Sequence, residues 1–299
     1  MIVPLPYLLA KAQEKGYALG YFEAWDSYSL EAVIEAAEAE NAPVILGFGC
    51  MMVSESWLDG GGIEILGSLG HALAERTHLP VALLLNEAHT YQECLAGIQA
   101  GFNAVMLDTS AWQVEPAIAQ VRELVRVAHA QYVAVEAELG HLPDATERGI
   151  DASLASLTDP EEAASFVERT GIDCLAVSIG NVHLLTHGLA DIDLKRLAAI
   201  HEYISVPLVI HGGSGFPPGA VREAIRLGAA KFNVGTILKK TFLTAIRKSV
   251  LALDGSANVH DVLGSHREHD YLLAGKRSMQ AKVQEFLQLY GSSGRAHGM

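Results

Sequence analysis

The stretch 207–236, PLVIHGGSGFPPGAVREAIRLGAAKFNVGT, decides the fold. It opens on a short apolar run, halts at a glycine-rich turn, continues as the helix-period segment PPGAVREAIRLG, and returns to a second apolar run, AAKFNV. Two strand-like runs joined by one amphipathic helix form a βα unit, whose strands pair in parallel. Working outward, the same alternation fills the chain from its first residues to about position 253. Eight strand candidates result: 17–24, 42–49, 80–88, 102–110, 132–140, 173–180, 207–215 and 229–236. Ser27 before SLEAV, and Thr158, Asp159 and Pro160 before EEAASF, mark helix starts, because a side-chain oxygen can hold an orphan amide and Pro has none to satisfy. This pattern predicts an α/β protein, a (β/α)8 TIM barrel over about 17–253. A C-terminal extension at 254–299 carries an extra helix near 268–290, and 1–299 reads as a single domain.

Composition agrees with that architecture and excludes several function classes. With 299 residues, 50% of them hydrophobic and 19% charged, the chain can bury a large core, and disorder is excluded. Its net charge is −14 with no run of Lys or Arg longer than two, which argues against nucleic acid and against an anionic membrane surface. The expected partner is a small molecule. Cys50, Cys94 and Cys174 form no CxxC pair and are odd in number, as suits a reduced compartment and buried packing rather than catalysis. The start has no basic leader or cleavage site and no stretch reaches the length of a membrane span, so a soluble, cytoplasmic protein is expected.

In a TIM barrel, catalytic residues gather at the C-terminal ends of the strands. Here those ends supply Glu23 and Asp26, then Asn86, Glu87 and His89, then Asp108, Glu136 and Glu138, then His183, and finally His211. Imidazole and carboxylate suit Zn²⁺ and neighbouring divalent ions, and a catalytic metal usually takes three protein ligands. His183, His211 and one carboxylate would meet that need. A lone histidine is more often a hydrogen-bonded core residue, but two at the ends of adjacent strands favour a metal. The glycine turns at 211–215 and 233–236 follow strands seven and eight, where barrels hold phosphate on converging backbone amides. Segments 141–157 and 181–190 are long enough to act as lids.

These residues also carry a resemblance. VALLLNEAH, AGFNAVMLDTS, VAVEAELG, TDPEEAASFVERTGIDCLAVSIGNVH, VPLVIHGGSGFP, AAKFNVGT and LYGSSGRA together make the chain similar, over almost its whole length, to the class II, metal-dependent fructose-bisphosphate and tagatose-bisphosphate aldolases. The resemblance implies a metal-dependent carbon–carbon lyase on a phosphorylated ketose, working by Lewis-acid stabilisation of an enediolate. Zn²⁺ is the implied ion, with Mn²⁺ or Co²⁺ as alternatives and a monovalent cation beside it. A homodimer or homotetramer is also implied, for which the extra helix offers a surface. By resemblance His183 and His211 match zinc ligands, and Glu138 a carboxylate at or beside the metal. Gly212, Gly213, Ser214, Asn233 and Thr236 match the phosphate cradle.

The departures define this chain. Where the family reads Leu-Asp-His-Gly, this chain has Leu85-Asn86-Glu87-Ala88, so Glu87 stands for the third histidine ligand and Asn86 for the catalytic Asp. An amide cannot take the hydroxyl proton that starts cleavage. The family's Phe-Asn-x-x-Asn is Phe22-Glu23-Ala24-Trp25-Asp26, which suggests that the proton-transfer group has moved to Glu23, to Asp26, or to His89. Glu147 is the residue left in the loop after strand five to act as donor base. Gly235 stands where the family has Asp, and Leu184 where glycine is common. Two other readings remain: an isomerase or lyase on another sugar phosphate, and a silent homologue that binds a sugar phosphate or serves in an assembly.

Overall fold

The structure, a computed structural model, describes residues 1–146, 149–150, 156–253 and 255–297. Helix α1 (Leu5–Lys15) precedes β1 (Leu19–Glu23), α2 (Ser27–Glu40), β2 (Val44–Gly49), α3 (Glu55–Trp57), α4 (Ile63–Ala74), β3 (Val81–Ala88), α5 (Tyr91–Gln99), β4 (Ala104–Leu107), α6 (Val114–His129) and β5 (Ala134–Leu139). Then come the short pair β6 (Ala145–Thr146) and β7 (Gly149–Ile150), α7 (Pro160–Thr170), β8 (Cys174–Val177), α8 (Leu194–Tyr203), β9 (Leu208–Ile210), α9 (Pro218–Arg226), β10 (Ala229–Val234), α10 (Thr236–Leu251), α11 (Val259–Val262) and α12 (Tyr271–Leu289). Leaving out β6 and β7, the strands close into one parallel barrel in the order β1-β10-β9-β8-β5-β4-β3-β2. Each of the eight expected strands contains one barrel strand, and the fold is the TIM barrel.

Strand side chains alternate in direction, so each strand gives one set to the helices and one to the barrel interior. Val44, Leu46, Leu83, Leu85, Val105, Val135, Leu175, Leu208 and Phe232 pack outward with the helices. Leu19, Ile45, Ala82, Leu84, Ala134, Ala176 and Val209 point inward, where Leu5, Leu8 and Leu9 of α1 join them. Helix α1 thus plugs the N-terminal end, a role that residues 1–16 do not announce, since a plug is defined only by the barrel it closes. Further up the strands this interior turns polar: Tyr21, Asn86, Glu136 and His211 stand two residues beyond Leu19, Leu84, Ala134 and Val209, and Lys231 joins them across the register shift in β10 between Ala229 and Lys231.

The extra helix is present as α12, and its apolar face is covered within the chain. Leu273, Met279, Val283 and Leu287 are buried, and α12 packs on α2 and α10. Lys276 binds Glu31 at 2.6 Å and Glu35 at 2.5 Å on α2. The cap of α2 is Asp26 rather than Ser27: its carboxylate accepts from the Ser29 amide at 2.7 Å, and Ser27 is the first helical residue. Asp159 caps α7 with Pro160 following, as expected.

Candidate functional site

The polar end of the interior is built around His211, which continues the inward parity of Val209 at the end of β9. Its Nε2–H donates to Glu136 Oε1 at 2.9 Å, because a carboxylate only accepts. Glu136 in turn receives Lys231 Nζ at 2.9 and 2.7 Å, and Lys231 also donates to Asn233 Oδ1 at 2.6 Å. Lys231 and Glu136 are both 0% exposed, so they form a fully buried ion pair whose desolvation is offset by their mutual contacts. Burial would push the Glu136 carboxyl up, but Lys231 and His211 overrule it and hold it near 2. His211 shows the converse: burial disfavours its charge, yet Glu136 and Glu87 raise it to about 10. Gly47 leaves room for the Tyr21 ring, which a Cβ there would meet at 1.9 Å, and Lys231 lies 5.1 Å from the centre of that ring.

With Nε2 committed, the other His211 nitrogen faces the barrel mouth. Nδ1 lies 3.1 Å from Glu87 Oε1 and 3.3 Å from Glu138 Oε2, aligned for a hydrogen bond with neither. His183 Nδ1 is 3.9 Å from Glu87 Oε1. One ligand atom from each of Glu87, His183 and His211 falls within 4.8 Å of the others. An imidazole oriented by a carboxylate, with its free nitrogen aimed at a second imidazole and a carboxylate, fits a divalent ion.

Glu87 reaches this group against the parity of its strand. Leu83 and Leu85 face outward, so an unbroken β3 would send Glu87 the same way. Between Leu85 and Ala88 the pairing with β4 shifts, two residues standing against one, and Glu87 takes φ +54°. A non-glycine residue there costs about 1–2 kcal/mol, and bulges commonly re-aim a side chain beside a site. Leu184, after His183, has φ +56°, which explains why glycine is common at that position in the resembling family. Asn181 ties the two histidine loops together, donating to the His211 carbonyl at 3.0 Å.

Four of the five residues expected to cradle a phosphate, Gly212, Ser214, Asn233 and Thr236, line the same pocket. Gly212 has φ +66° and a Cβ on it would sit 2.3 Å from the Val182 carbonyl oxygen, so glycine is required. Ser214 Oγ accepts from the Ile237 amide at 3.1 Å, holding the turn against the start of α10. The pocket is lined by Tyr21, Glu23, Asn86, Glu87, His183 and His211 together with Gly212, Ser214, Asn233 and Thr236. Gly213 lies behind it, buried against the Asn233 carbonyl.

The remaining expected residues divide. Glu23 lines the pocket and binds Lys239 at 2.5 Å; burial pushes its carboxyl up and Lys239 pulls it back. Glu138 stands beside His211 and opens into a second cavity with Thr109, Ser110 and His141; burial pushes its carboxyl up to about 7. Asp26 is occupied as the cap of α2 and is not a pocket residue. His89 lies 3.6 Å from Glu93, also outside the pocket. Glu147 falls outside the described residues. The backbone of the neighbouring segment bonds to the His183 loop, Ala145 N to His183 O at 2.9 Å and His183 N to Pro143 O at 3.0 Å. Lys231 went unread in the sequence, although a lysine inside the apolar run AAKFNV is itself a signal of a buried partner. Glu136 stood among the carboxylates without its role.

Known proteins resemble the chain over nearly its whole length. A family model described as fructose-bisphosphate aldolase class-II matches residues 3–295. The chain belongs to the class-II fructose-bisphosphate aldolase family. A Bacillus subtilis (strain 168) protein named a probable fructose-bisphosphate aldolase is 36% identical over 298 residues, covering 99% of both chains. The fructose-bisphosphate aldolase of Geobacillus stearothermophilus is 35% identical over 301 residues, again with 99% of each covered. The crystal structure of the YdjI aldolase from Escherichia coli K12 superposes with a TM-score of 0.82 at 29% identity, over 99% of this chain and 100% of that one. Class-II family membership makes the chain an aldehyde-lyase of the metal-dependent kind. No helix among the described residues is long and apolar enough to cross a membrane.

Proposed function

We propose that the chain makes or breaks a carbon–carbon bond in a phosphorylated ketose. The ion would be held by Glu87, His183 and His211, with Zn²⁺ as the first choice and Mn²⁺ or Co²⁺ as alternatives. The observation that carries this reading is that the three ligand atoms share one pocket with the glycine cradle. When bound, such an ion polarises a ketose carbonyl and stabilises the charge that develops there.

The chain's own residues do the rest. Backbone amides of Gly212, Gly213 and Thr236, with Ser214, hold a phosphate at the start of α10, so remote binding energy positions the bond that breaks. Glu136 and Lys231 fix the His211 tautomer and its direction. Asn86 can hydrogen-bond a substrate hydroxyl but cannot take its proton. Proton movement falls to Glu23, which lines the pocket, or to Glu138 beside His211, whose carboxyl burial pushes up to about 7, with Glu147 as the donor-side base. Asp26 is a weaker candidate because its carboxylate already caps α2, and His89 because it lies against Glu93 rather than against a metal-ligand candidate. The reading includes a cytoplasmic homodimer or homotetramer, with a monovalent cation beside the phosphate.

The test is metal content followed by a screen of ketose phosphates for aldehyde release. The expected outcome is about one divalent ion per chain and turnover that chelation abolishes and metal restores. A protein that takes up metal and isomerises a sugar phosphate without releasing aldehyde would make it an isomerase. One that binds sugar phosphate without metal or turnover would make it a silent homologue.

A further inference from the structure

Where the barrel closes, Phe22 pairs in register with Val234, so Glu23 and Gly235 stand side by side at the mouth. They behave as one device. A Cβ on Gly235 would come within 2.1 Å of Glu23 Oε2, so the carboxylate fills the room that a side chain at 235 would use. Its other oxygen binds Lys239, which reaches over the Trp25 ring at 5.8 Å.

We propose that Glu23 sets the substrate class: it accepts a hydrogen bond from a hydroxyl on the part of the ketose that lies over β1 to β3, and it restricts the enzyme to ketoses phosphorylated at one end only. This rests on the metal-and-cradle reading of the pocket and narrows it.

The charge inventory argues for one phosphate. Among the described residues that line the pocket there are two carboxylates, Glu23 and Glu87, and no Lys or Arg. The nearby cation, Lys239, is already paired with Glu23. A phosphate dianion needs converging amides or cations, and the turn at Gly212 to Ser214 with the start of α10 supplies amides for one. A second phosphate, over β1 to β3, would face Glu23, Gly49, Met51 and Met52. Among the described residues that wall offers it no cation and only the Tyr21 hydroxyl as a donor, and it would have to separate Glu23 from Lys239 to gain a charge.

The uncharged polar groups argue for hydroxyls. Tyr21 Oη, Asn86 Oδ1 and Asn233 Nδ2 are buried, lack hydrogen-bond partners among the described residues, and belong to residues lining this pocket. A buried polar atom without a partner is costly, and these three form a set of neutral donors and acceptors that, beside the accepting Glu23 carboxylate, a polyol chain satisfies.

The experiment is isothermal titration of the zinc-loaded protein with a hexitol monophosphate and the matching hexitol bisphosphate. Neither has a carbonyl, so neither can be cleaved. The wild type is expected to bind the monophosphate at least about tenfold more tightly, a difference of about 1.4 kcal/mol. Glu23→Gln is expected to narrow that ratio about tenfold, mainly by tightening the bisphosphate as Lys239 is freed. Lys239→Met should widen it, which reads the same device from the other side. Equal or tighter binding of the bisphosphate by the wild type overturns the proposal, as does a ratio that Glu23→Gln leaves unmoved. If neither compound binds, the cradle reading and this inference fall together. If the discrimination holds but no ketose phosphate yields aldehyde, only the reaction assigned above falls.

Discussion

The two ends of the barrel are made from the same eight strands and are filled in opposite ways. At the N-terminal end, Leu5, Leu8 and Leu9 of α1 meet Leu19, Ile45, Leu84 and Val209, and the packing is apolar apart from the Tyr17 hydroxyl. Further along the strands, Tyr21, Asn86, Glu136, Lys231 and His211 fill the barrel interior instead. Among the described residues the lower end leaves one such atom, Tyr17 Oη, whereas the upper end leaves Tyr21 Oη, Asn86 Oδ1, His211 Nδ1 and Asn233 Nδ2 without partners. Stability and binding are therefore separated along the barrel axis. One end is finished by folding and the other by a ligand.

The sharpest way to break this contrast is to remove Lys231 from the upper end. Lys231→Met leaves Glu136 buried with His211 as its remaining charged partner, and should cost about 3–5 kcal/mol in denaturant unfolding. Replacing both members, Lys231→Met with Glu136→Leu, should recover most of that stability. The double variant should nonetheless lose about 10–100-fold in metal affinity, because His211 is no longer oriented. A double variant that keeps its metal affinity would mean the stack serves the fold and not the site.

At the lower end the prediction is the reverse. Leu8 is 0% exposed, and Leu8→Ala should cost about 2–5 kcal/mol through the cavity it leaves. At a temperature where the variant is still folded, kcat/KM should be unchanged. A fall in kcat/KM without unfolding would show that the plug shapes the mouth and that the ends are coupled.

What could be read from the sequence follows the same division. The eight strands were legible because apolar alternation is a local property, and the two histidines and two glycine turns were legible because they sit at strand ends. The plug was not, since nothing in LPYLLAKAQEK specifies the barrel it enters. Glu87 was placed in the site through the resemblance, but strand parity alone sends it outward; only the bulge and its φ of +54° bring it in. Lys231 was hidden for the opposite reason, being a charge inside a run read for its apolar neighbours. Asp26 and Ser27 show the usual limit at a helix start, where two capping residue types stand side by side and the geometry selects one.

A smaller effect concerns pH. In the metal-free protein His211 is raised from its ordinary 6.5 to about 10, by carboxylates that outweigh its burial. A raised value means that the stabilisation is fully present below 6.5 and is lost as pH climbs through about 10. Metal-free protein should therefore lose stability across that window, by at most about 1.4 kcal/mol per pH unit from this group. A bound ion takes the nitrogen from the proton, so the metal-loaded protein should show a flatter profile and release a proton on loading at neutral pH. Unfolding curves at several pH values, with and without zinc, test this; the same slope in both forms would place Nδ1 outside the metal site.

The smallest expected effect separates two carboxylates three residues apart. Glu23 turns into the pocket with the inward parity of Leu19 and Tyr21, whereas Asp26 lies beyond the strand and accepts the Ser29 amide at 2.7 Å. Asp26→Ala should remove a helix cap and cost about 1 kcal/mol of stability, with kcat/KM within twofold of wild type. Asp26→Asn, which retains an accepting oxygen, should restore most of the loss. A tenfold or greater drop in kcat for Asp26→Asn with an unchanged melting temperature would reverse this assignment, because the cap would then be intact and only the proton-accepting capacity gone.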